Sequence, residues 1–304
     1  MMSFTAQDVK DLREKTGCGM MDCKKALTES NGDMNAAIDF LREKGLAAAT
    51  KKSSRIAAEG LSMAYTNDDN SVGVAIEVNS ETDFVAKNSE FQEFVKLCAD
   101  TVMTQNPATV EDLLKITVNN QTIESVLQEK ILTIGENIKI RRFERYEGTV
   151  SSYVHAGGKI GVLVNFDVSD RSVISGDRFK EYAKDVAMQI AAVNPFFLGI
   201  QDVPPEVVEH ERKILKEQII NDGKPSEIAD KIVNGRINKY YKDVCLLEQV
   251  FVKDNDININ QYTQKISKEL GTDIKITKFV RFERGQGIEK KEDNFADEVA
   301  GMIK

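Results

Sequence analysis

Between Gly60 and Pro107 the chain can be laid without a gap on a segment of itself 88 residues further along. Tyr65 then falls on Tyr153, Gly73 on Gly161, Val74 on Val162, Phe91 on Phe179, Lys96 on Lys184, and Asn106-Pro107 on Asn194-Pro195. Such a repeat constrains the fold strongly, because one supersecondary unit has to be built twice from a single chain. In the first copy Gly60 to Thr66 and Ser71 to Asn79 flank the polar turn Asn67-Asp68-Asp69-Asn70; in the second, Gly148 to Val154 and Lys159 to Asp167 flank His155-Ala156-Gly157-Gly158. Two apolar-rich runs on either side of a short turn predict a β-hairpin. A helix follows in each copy, with Ser89 and Asp177 as equivalent N-cap residues. A third strand closes each unit: Ile138-Lys139-Ile140-Arg141-Arg142-Phe143 resembles Ile274-Lys275-Ile276-Thr277-Lys278-Phe279. These two strands lie 136 residues apart rather than 88, so the second copy holds about 48 additional residues.

The additional segment is itself patterned. Val207, Val208, Ile214, Leu215, Ile219 and Ile220 form an apolar stripe, Asn221-Asp222-Gly223-Lys224-Pro225 breaks it, and Ile228, Ile232, Val233 and Ile237 carry it back. This predicts an antiparallel helical hairpin. Ahead of the repeat, Thr5 and Asp8 open a first helix carrying Val9 and Leu12 that Gly17 ends; Met21 to Ser30 makes a second, and Asp33 caps a third through Met34, Ala37, Ile38 and Leu41. The lysine-rich stretch from Ala47 to Arg55 reads as a connector. At the other end Phe295, Val299 and Ile303, spaced by four, predict a short amphipathic helix after a charged link.

Comparing the two copies separates framework from function. Val72 and Val78 stand opposite Ile160 and Phe166, and Phe94 and Val102 opposite Tyr182 and Ile190, as a shared core requires. The loop between hairpin and helix does not match: Asp83, Phe84 and Lys87 stand opposite Arg171, Ser172 and Ser175. A turn that can be built with serine does not need phenylalanine for packing. Phe84 is therefore a candidate for an exposed anchor, set against the plainer reading that it fills the core of its own copy.

Several classes of function are disfavoured. Forty-nine Asp and Glu against 41 Lys and Arg give a formal charge of −8, the wrong sign for a chain whose affinity rests on neutralising phosphates. No phosphate-cradling Gly-x-x-x-x-Gly-Lys-Ser/Thr run is present, nor Gly-x-Gly-x-x-Gly after a strand. His155 and His210 have no nucleophile elbow or His-Glu-x-x-His pattern with them. Cys18 and Cys23 lack a second ligand pair, so zinc is disfavoured and they read as small apolar residues. No apolar run of eighteen residues exists, and the N-terminus shows neither a signal peptide nor an Arg- and Ser-rich leader, which leads to the expectation of a cytoplasmic, bacterial-type protein.

The stretch Asn79-Ser80-Glu81-Thr82-Asp83-Phe84-Val85-Ala86-Lys87 resembles the signature of the translation elongation factor Ts family. Three further stretches sit in family order: Leu12-Arg13-Glu14-Lys15-Thr16-Gly17-Cys18-Gly19-Met20-Met21-Asp22-Cys23-Lys24-Lys25-Ala26-Leu27; Tyr153-Val154-His155-Ala156-Gly157-Gly158-Lys159-Ile160-Gly161-Val162-Leu163-Val164; and Arg281-Phe282-Glu283 with Gly285-Gln286-Gly287-Ile288-Glu289-Lys290. The resemblance covers essentially the whole chain. It implies an α+β fold with a UBA-like three-helix domain and connector at 1–55, core subdomains at 56–146 and 147–287 each with a three-stranded antiparallel sheet and helices, the helical hairpin inserted at about 204–250, and a C-terminal module at 288–304.

The function implied is guanine-nucleotide exchange on elongation factor Tu, in its GDP-bound and nucleotide-free forms, during protein biosynthesis. No cofactor and no nucleotide hydrolysis by this chain are implied. By the same resemblance Thr82, Asp83, Phe84 and Val85 form the loop that disturbs the partner's Mg2+ site, and His155, Val9, Leu12, Met20 and Met21 make further partner contacts. The hairpin is open to roles in homodimer formation, in partner contact, or as a solvated arm. No membrane and no nucleic acid as primary partner are expected. The alternatives are a non-catalytic scaffold, or an RNA-binding accessory protein using the basic strands Lys139 to Arg145 and Lys275 to Arg284.

Overall fold

A computed structural model describes residues 4–222 and 226–289. Helices α1 (Ala6–Thr16), α2 (Met20–Glu29) and α3 (Met34–Lys52) make an N-terminal module around Val9, Leu12, Cys23, Ala26, Leu27, Ala37 and Leu41. Thr5 and Asp8 cap α1 reciprocally: the Asp8 amide donates to the Thr5 hydroxyl at 3.2 Å and the Thr5 amide to the Asp8 carboxylate at 2.7 Å. Helix α3 is longer than the sequence predicts and takes in most of the expected connector. Three successive alanines, Ala47 to Ala49, favour helix there. The extended end also has a surface to dock on, since Ala49 packs on the core of the next unit.

That unit begins with β1 (Glu59–Thr66) and β2 (Val72–Ser80), paired in antiparallel register. Then come α4 (Ser89–Gln105), α5 (Val110–Lys115), the short strands β3 (Thr117–Val118) and β4 (Gln121–Thr122), α6 (Ile123–Ile134) and β5 (Lys139–Glu147). Leu132 of α6 packs in return on the core of the N-terminal module. The second copy has β6 (Thr149–His155), β7 (Ile160–Val168), α7 (Asp177–Val193), α8 (Pro205–Asn221), α9 (Ser226–Val244), β8 (Val250–Phe251), β9 (Asp254–Asn258), α10 (Ile259–Leu270) and β10 (Ile274–Glu283). The sheets are ordered β1-β2-β5 and β10-β7-β6, so each copy places its second strand at the centre. The third strands run past the predicted Phe143 and Phe279, to Glu147 and Glu283.

The duplication is therefore geometric as well as textual. A β-bulge leaves Arg141 as the extra residue opposite Glu77/Val78, and another leaves Thr277, 136 residues later, at the same place in the second sheet. Asn106 and Asn194 end α4 and α7 in the left-handed conformation, with φ of 49° and 52°. The helix starts differ from expectation by one residue in both copies: Asn88 and Gly176 are the N-caps, and Ser89 and Asp177 lie inside the first turn. Asn88 takes the role because its side chain accepts hydrogen bonds from the Glu90 and Phe91 amides.

Helices cover one face of each sheet. Val74, Ile76 and Val78 pack on Phe91, Phe94, Val95 and Val102 in the first copy; Val162, Val164 and Phe166 pack on Phe179, Tyr182, Val186 and Ile190 in the second. The other faces meet each other through Ala64, Ala75, Tyr146, Val150, Leu163 and Phe282. The join has approximate two-fold symmetry. The Ser62 amide donates to the Gly158 carbonyl at 2.8 Å, and the Val150 amide, 88 residues after Ser62, donates to the carbonyl of Asn70, 88 residues before Gly158, at 2.9 Å. Each copy's turn thus lies on the other's first strand. The paired glycines Gly73 and Gly161 allow the close approach: a Cβ on Gly73 would lie 2.6 Å from methyls of Leu163 and Val150, and one on Gly161 would lie 3.0 Å from the Met63 backbone.

In the insertion α8 and α9 pack antiparallel, as Arg212 with Asn234 at 2.7 Å and Lys216 with Asp230 at 2.8 Å show. Ile219, Val233 and Ile237 are its core, with Val208, Leu215 and Ile232 against them. Ile214 and Ile220, expected in the stripe, are exposed instead, because each sits one position off the helical repeat of Val208, Leu215 and Ile219. The helix expected through Phe295, Val299 and Ile303 lies outside the described residues.

Candidate functional site

The residues from Glu81 to Asn88 leave the central strand β2 and form a single 3-10 turn over Val85–Lys87 before α4 begins. The turn is closed by the Lys87 amide on the Phe84 carbonyl at 3.1 Å and the Asn88 amide on the Val85 carbonyl at 2.9 Å. Val85 and Ala86 point inward and join the core of the first copy. Phe84, with ordinary right-handed backbone angles of φ −63° and ψ −38°, points outward and keeps 75% of its surface exposed. Asp83 beside it is exposed too.

The second copy builds the same turn. Residues Arg171–Ser175 are 3-10, Val173 and Ile174 replace Val85 and Ala86 as inward anchors, and exposed Ser172 stands where Phe84 stands. An aromatic ring in water forgoes roughly 1.5–3 kcal/mol of burial. Neither its own core nor the turn geometry accounts for Phe84.

Thr82 and Val85, which the resemblance places in the same loop, are not free to reach outward as Phe84 is. The Thr82 amide donates to Glu136 Oε2 at 3.0 Å, its hydroxyl donates to Glu136 Oε1 at 2.6 Å, and its carbonyl accepts from the Ser80 hydroxyl at 3.0 Å. Val85 is only 6% exposed. Both therefore hold the turn while Asp83 and Phe84 are displayed. His155 ends β6 and is exposed, its Nδ1 lying 3.2 Å from the Tyr153 hydroxyl. Its turn and the Phe84 turn both adjoin β1: Gly158 sits against Leu61 and Met63, and Leu61 shares a core with Val85.

In the N-terminal module the four expected contacts divide. Met20 and Met21, at the start of α2, are 57% and 74% exposed. Val9 and Leu12 are 8% and 0% exposed and lie in the core. The expectation that they offer an apolar surface is corrected accordingly: a three-helix module this small needs both for its own interior. Cys18 and Cys23 are free, buried thiols, and burial pushes both above the usual thiol range. Among the described residues no three His, Cys, Asp or Glu side chains gather as metal ligands, and no helix is long and apolar enough to cross a membrane.

The basic strands of the RNA-binding alternative are engaged internally. Glu77, with no exposed side chain, accepts from Arg141 at 2.9 Å, Arg142 at 2.7 Å and the Gly285 amide at 2.8 Å. Arg145 donates to the Met103 carbonyl and pairs with Glu147; at equivalent positions Arg281 donates to the Ala191 carbonyl and pairs with Glu283. Sequence reading missed the Glu77 cluster and the Glu136 anchor. In the sequence, Gly285 and Gln286 stand out only as part of a stretch in family order; in the structure they bind the Glu77–Arg141 pair.

Comparison with known proteins places this geometry. A family model described as Elongation factor TS matches residues 81–286, from the start of the Phe84 loop to the Gly285-Gln286 turn. Elongation factor Ts of Clostridium perfringens (strain SM101 / Type A) is 54% identical over 303 residues, spanning 98% of this chain and 99% of the relative. That of Clostridium kluyveri (strain ATCC 8527 / DSM 555 / NBRC 12016 / NCIMB 10680 / K1) is 51% identical over 306 residues, with 99% of each covered, and that of Clostridioides difficile (strain 630) is 48% identical over 307 residues across the whole of both. The chain belongs to the elongation factor Ts family.

Proposed function

We propose that this translation elongation factor is the guanine-nucleotide exchange factor of elongation factor Tu in the cytoplasm, and that Asp83 and Phe84 are the residues that disturb the partner's Mg2+ site. The observation that carries this reading is the contrast between Phe84 and Ser172: two copies of one turn, each with two inward-facing side chains, of which only one carries an aromatic ring held out in water. Magnesium requires near-octahedral oxygen ligands at about 2.0–2.1 Å, so small displacements of the loops around it weaken nucleotide binding. An apolar ring on a short, closed turn can impose such a displacement, because it loses little conformational freedom on docking.

Energetics divide the work. Burying Phe84 supplies roughly 1.5–3 kcal/mol, whereas moving a two-state equilibrium about ten-thousandfold takes about 5.5 kcal/mol of differential binding. Separate patches must supply the remainder; exposed Met20 and Met21 on the N-terminal module and His155 beside β1 are suited to this. Coupling is reciprocal, so whatever weakens GDP on the partner weakens this chain's hold on the GDP-bound form equally. The test is release of fluorescent GDP from purified elongation factor Tu on adding this chain. Acceleration at substoichiometric amounts supports exchange, and binding without acceleration leaves only a scaffold.

A further inference from the structure

The segment that presents Phe84 is tied to the segment ahead of β5 by two carboxylates working in opposite directions. Glu136 accepts from the Thr82 amide at 3.0 Å and from the Thr82 hydroxyl at 2.6 Å. Glu81, next to Thr82, accepts from the amide of Asn137, next to Glu136, at 2.6 Å, and also pairs with Arg55 at 3.4 Å. Asn137 in turn donates its side-chain amide to the Arg55 carbonyl at 2.7 Å. Two neighbouring residues on each side therefore exchange side-chain-to-backbone bonds, as in a capping box but between distant segments.

The second copy shows what the turn needs for itself. Asp170 and Thr272 are the counterparts of Thr82 and Glu136, and there the join is made by neutral groups, with the Asp170 amide donating to the Thr272 hydroxyl at 2.9 Å and the Ser169 amide to the Asp273 carbonyl at 3.0 Å. Asp170 uses its own carboxylate locally, on the Ser172 amide at 2.9 Å. Two neutral bonds, with no carboxylate across the join, thus suffice where the turn displays serine. Where it displays phenylalanine, the same point is held by a two-pronged carboxylate and a reciprocal one.

We infer that Glu136 is a positioning residue for exchange: it fixes Thr82 so that Phe84, two residues on, is held at one height and angle above the surface. The inference rests on the reading of Phe84 given under Proposed function. It follows from the sensitivity of positioned groups to displacements on the order of 1 Å, since a turn released at Thr82 keeps its inward anchors Val85 and Ala86 but no longer has a fixed entry. Glu136 itself does not need to touch the partner.

The experiment is a double-mutant cycle on the full chain, measuring fluorescent GDP release from elongation factor Tu at saturating and at limiting exchange factor. Glu136→Ala is expected to lower the saturated rate about 10-fold, with affinity for nucleotide-free partner changed far less. Glu136→Gln, which can accept from the Thr82 amide and donate to its hydroxyl, is expected to stay within about 2-fold of the parent chain. In a Phe84→Ala background Glu136→Ala should have no further effect, because a residue that acts through another adds nothing once that other is gone.

A parent-like rate for Glu136→Ala, or a full 10-fold loss on top of Phe84→Ala, overturns the inference. Should Glu136→Ala fail to fold, Thr82→Val removes one prong at nearly constant shape and is expected to slow exchange in the same Phe84-dependent way; a parent-like rate there counts against it equally. If Phe84→Ala by itself leaves GDP release unaltered, the reading of Phe84 is what has failed, and the two failures are distinct.

Discussion

Glu77 and Asn165 stand at the same point of the two central strands, 88 residues apart, and face the same β-bulge in their neighbouring strands. The bulge at Arg141 brings two successive arginines onto the Glu77 carboxylate, whereas the bulge at Thr277 only directs a hydroxyl to the Asn165 carbonyl at 3.1 Å. The charged version sits against the other sheet: Glu77 also holds the Gly285 amide just past β10, Arg141 donates to the Gln286 carbonyl at 2.6 Å, and the Arg142 guanidinium lies 4.3 Å from the centre of the Phe282 ring. Lys278 mirrors this last contact from the opposite side, 4.1 Å from the Tyr146 ring.

Removing Glu77 leaves two arginines facing each other at the join with nothing to neutralise them. Glu77→Ala is expected to destabilise the protein by about 3–5 kcal/mol, since breaking a buried ion pair from one side costs far more than the pair itself contributes. Glu77→Gln, which keeps an acceptor but not the charge, should fall between. Urea unfolding with unchanged slope and a lower midpoint checks both; a Glu77→Ala midpoint equal to that of the parent chain rules the account out.

Phe84→Ala should separate function from stability. With 75% of its surface in water, the ring contributes little to folding, so the melting temperature is expected to stay within about 1 °C while GDP release slows roughly 10- to 100-fold. Phe91→Ala, a few residues later at a fully buried site, is the control of opposite sign, expected to cost about 3–5 kcal/mol.

The approach of the two sheets depends on a missing side chain at Gly73. An added methyl would meet Leu163 and Val150 at 2.6 Å, both themselves packed in the join, so neither can swing clear. Gly73→Ala is expected to cost about 1–3 kcal/mol by overpacking. Trimming Leu163 to Ala in the same chain should return part of that loss, and a double variant no better than the sum of its singles argues against the clash.

How much of this is legible in the amino-acid sequence follows from what a repeat can and cannot encode. The offset of 88 fixed the two hairpins, and the shift to 136 located the insertion, because hydrophobic period and turn residues are local signals. The outward aim of Phe84 was legible too, since Ser172 showed that its place is not a core position. Contacts across the repeat were not. Nothing near Thr82 announces Glu136, 54 residues away, and basic alternation in β5 looks like a solvated face until Glu77 is found beneath it. The burial of Val9 and Leu12 was likewise hidden, because a helical apolar stripe fits an interior and an interface equally well.

The contact between the N-terminal module and the first copy should respond to pH through Glu129. This residue lies on α6 in a cleft of about 190 Å³ that α3 covers, with Ile38, Leu41 and Leu132 among its lining. Burial pushes its carboxyl above the ordinary value of 4.5, against the opposing pull of Lys130, Gln121 and Arg42. With the folded value above the unfolded one, the folded chain holds the proton more tightly. Stability is therefore lost as pH rises from about 4.5 through the folded value, and the full penalty is present above it. Glu129→Gln removes that penalty: it is expected to raise the melting temperature at pH 7 by about 1–3 °C, with the advantage shrinking as the pH approaches 4.5. Melting curves of both chains between pH 4.5 and pH 8 give the answer; an advantage that instead grows on acidification would show that ionised Glu129 stabilises the cleft through its cations.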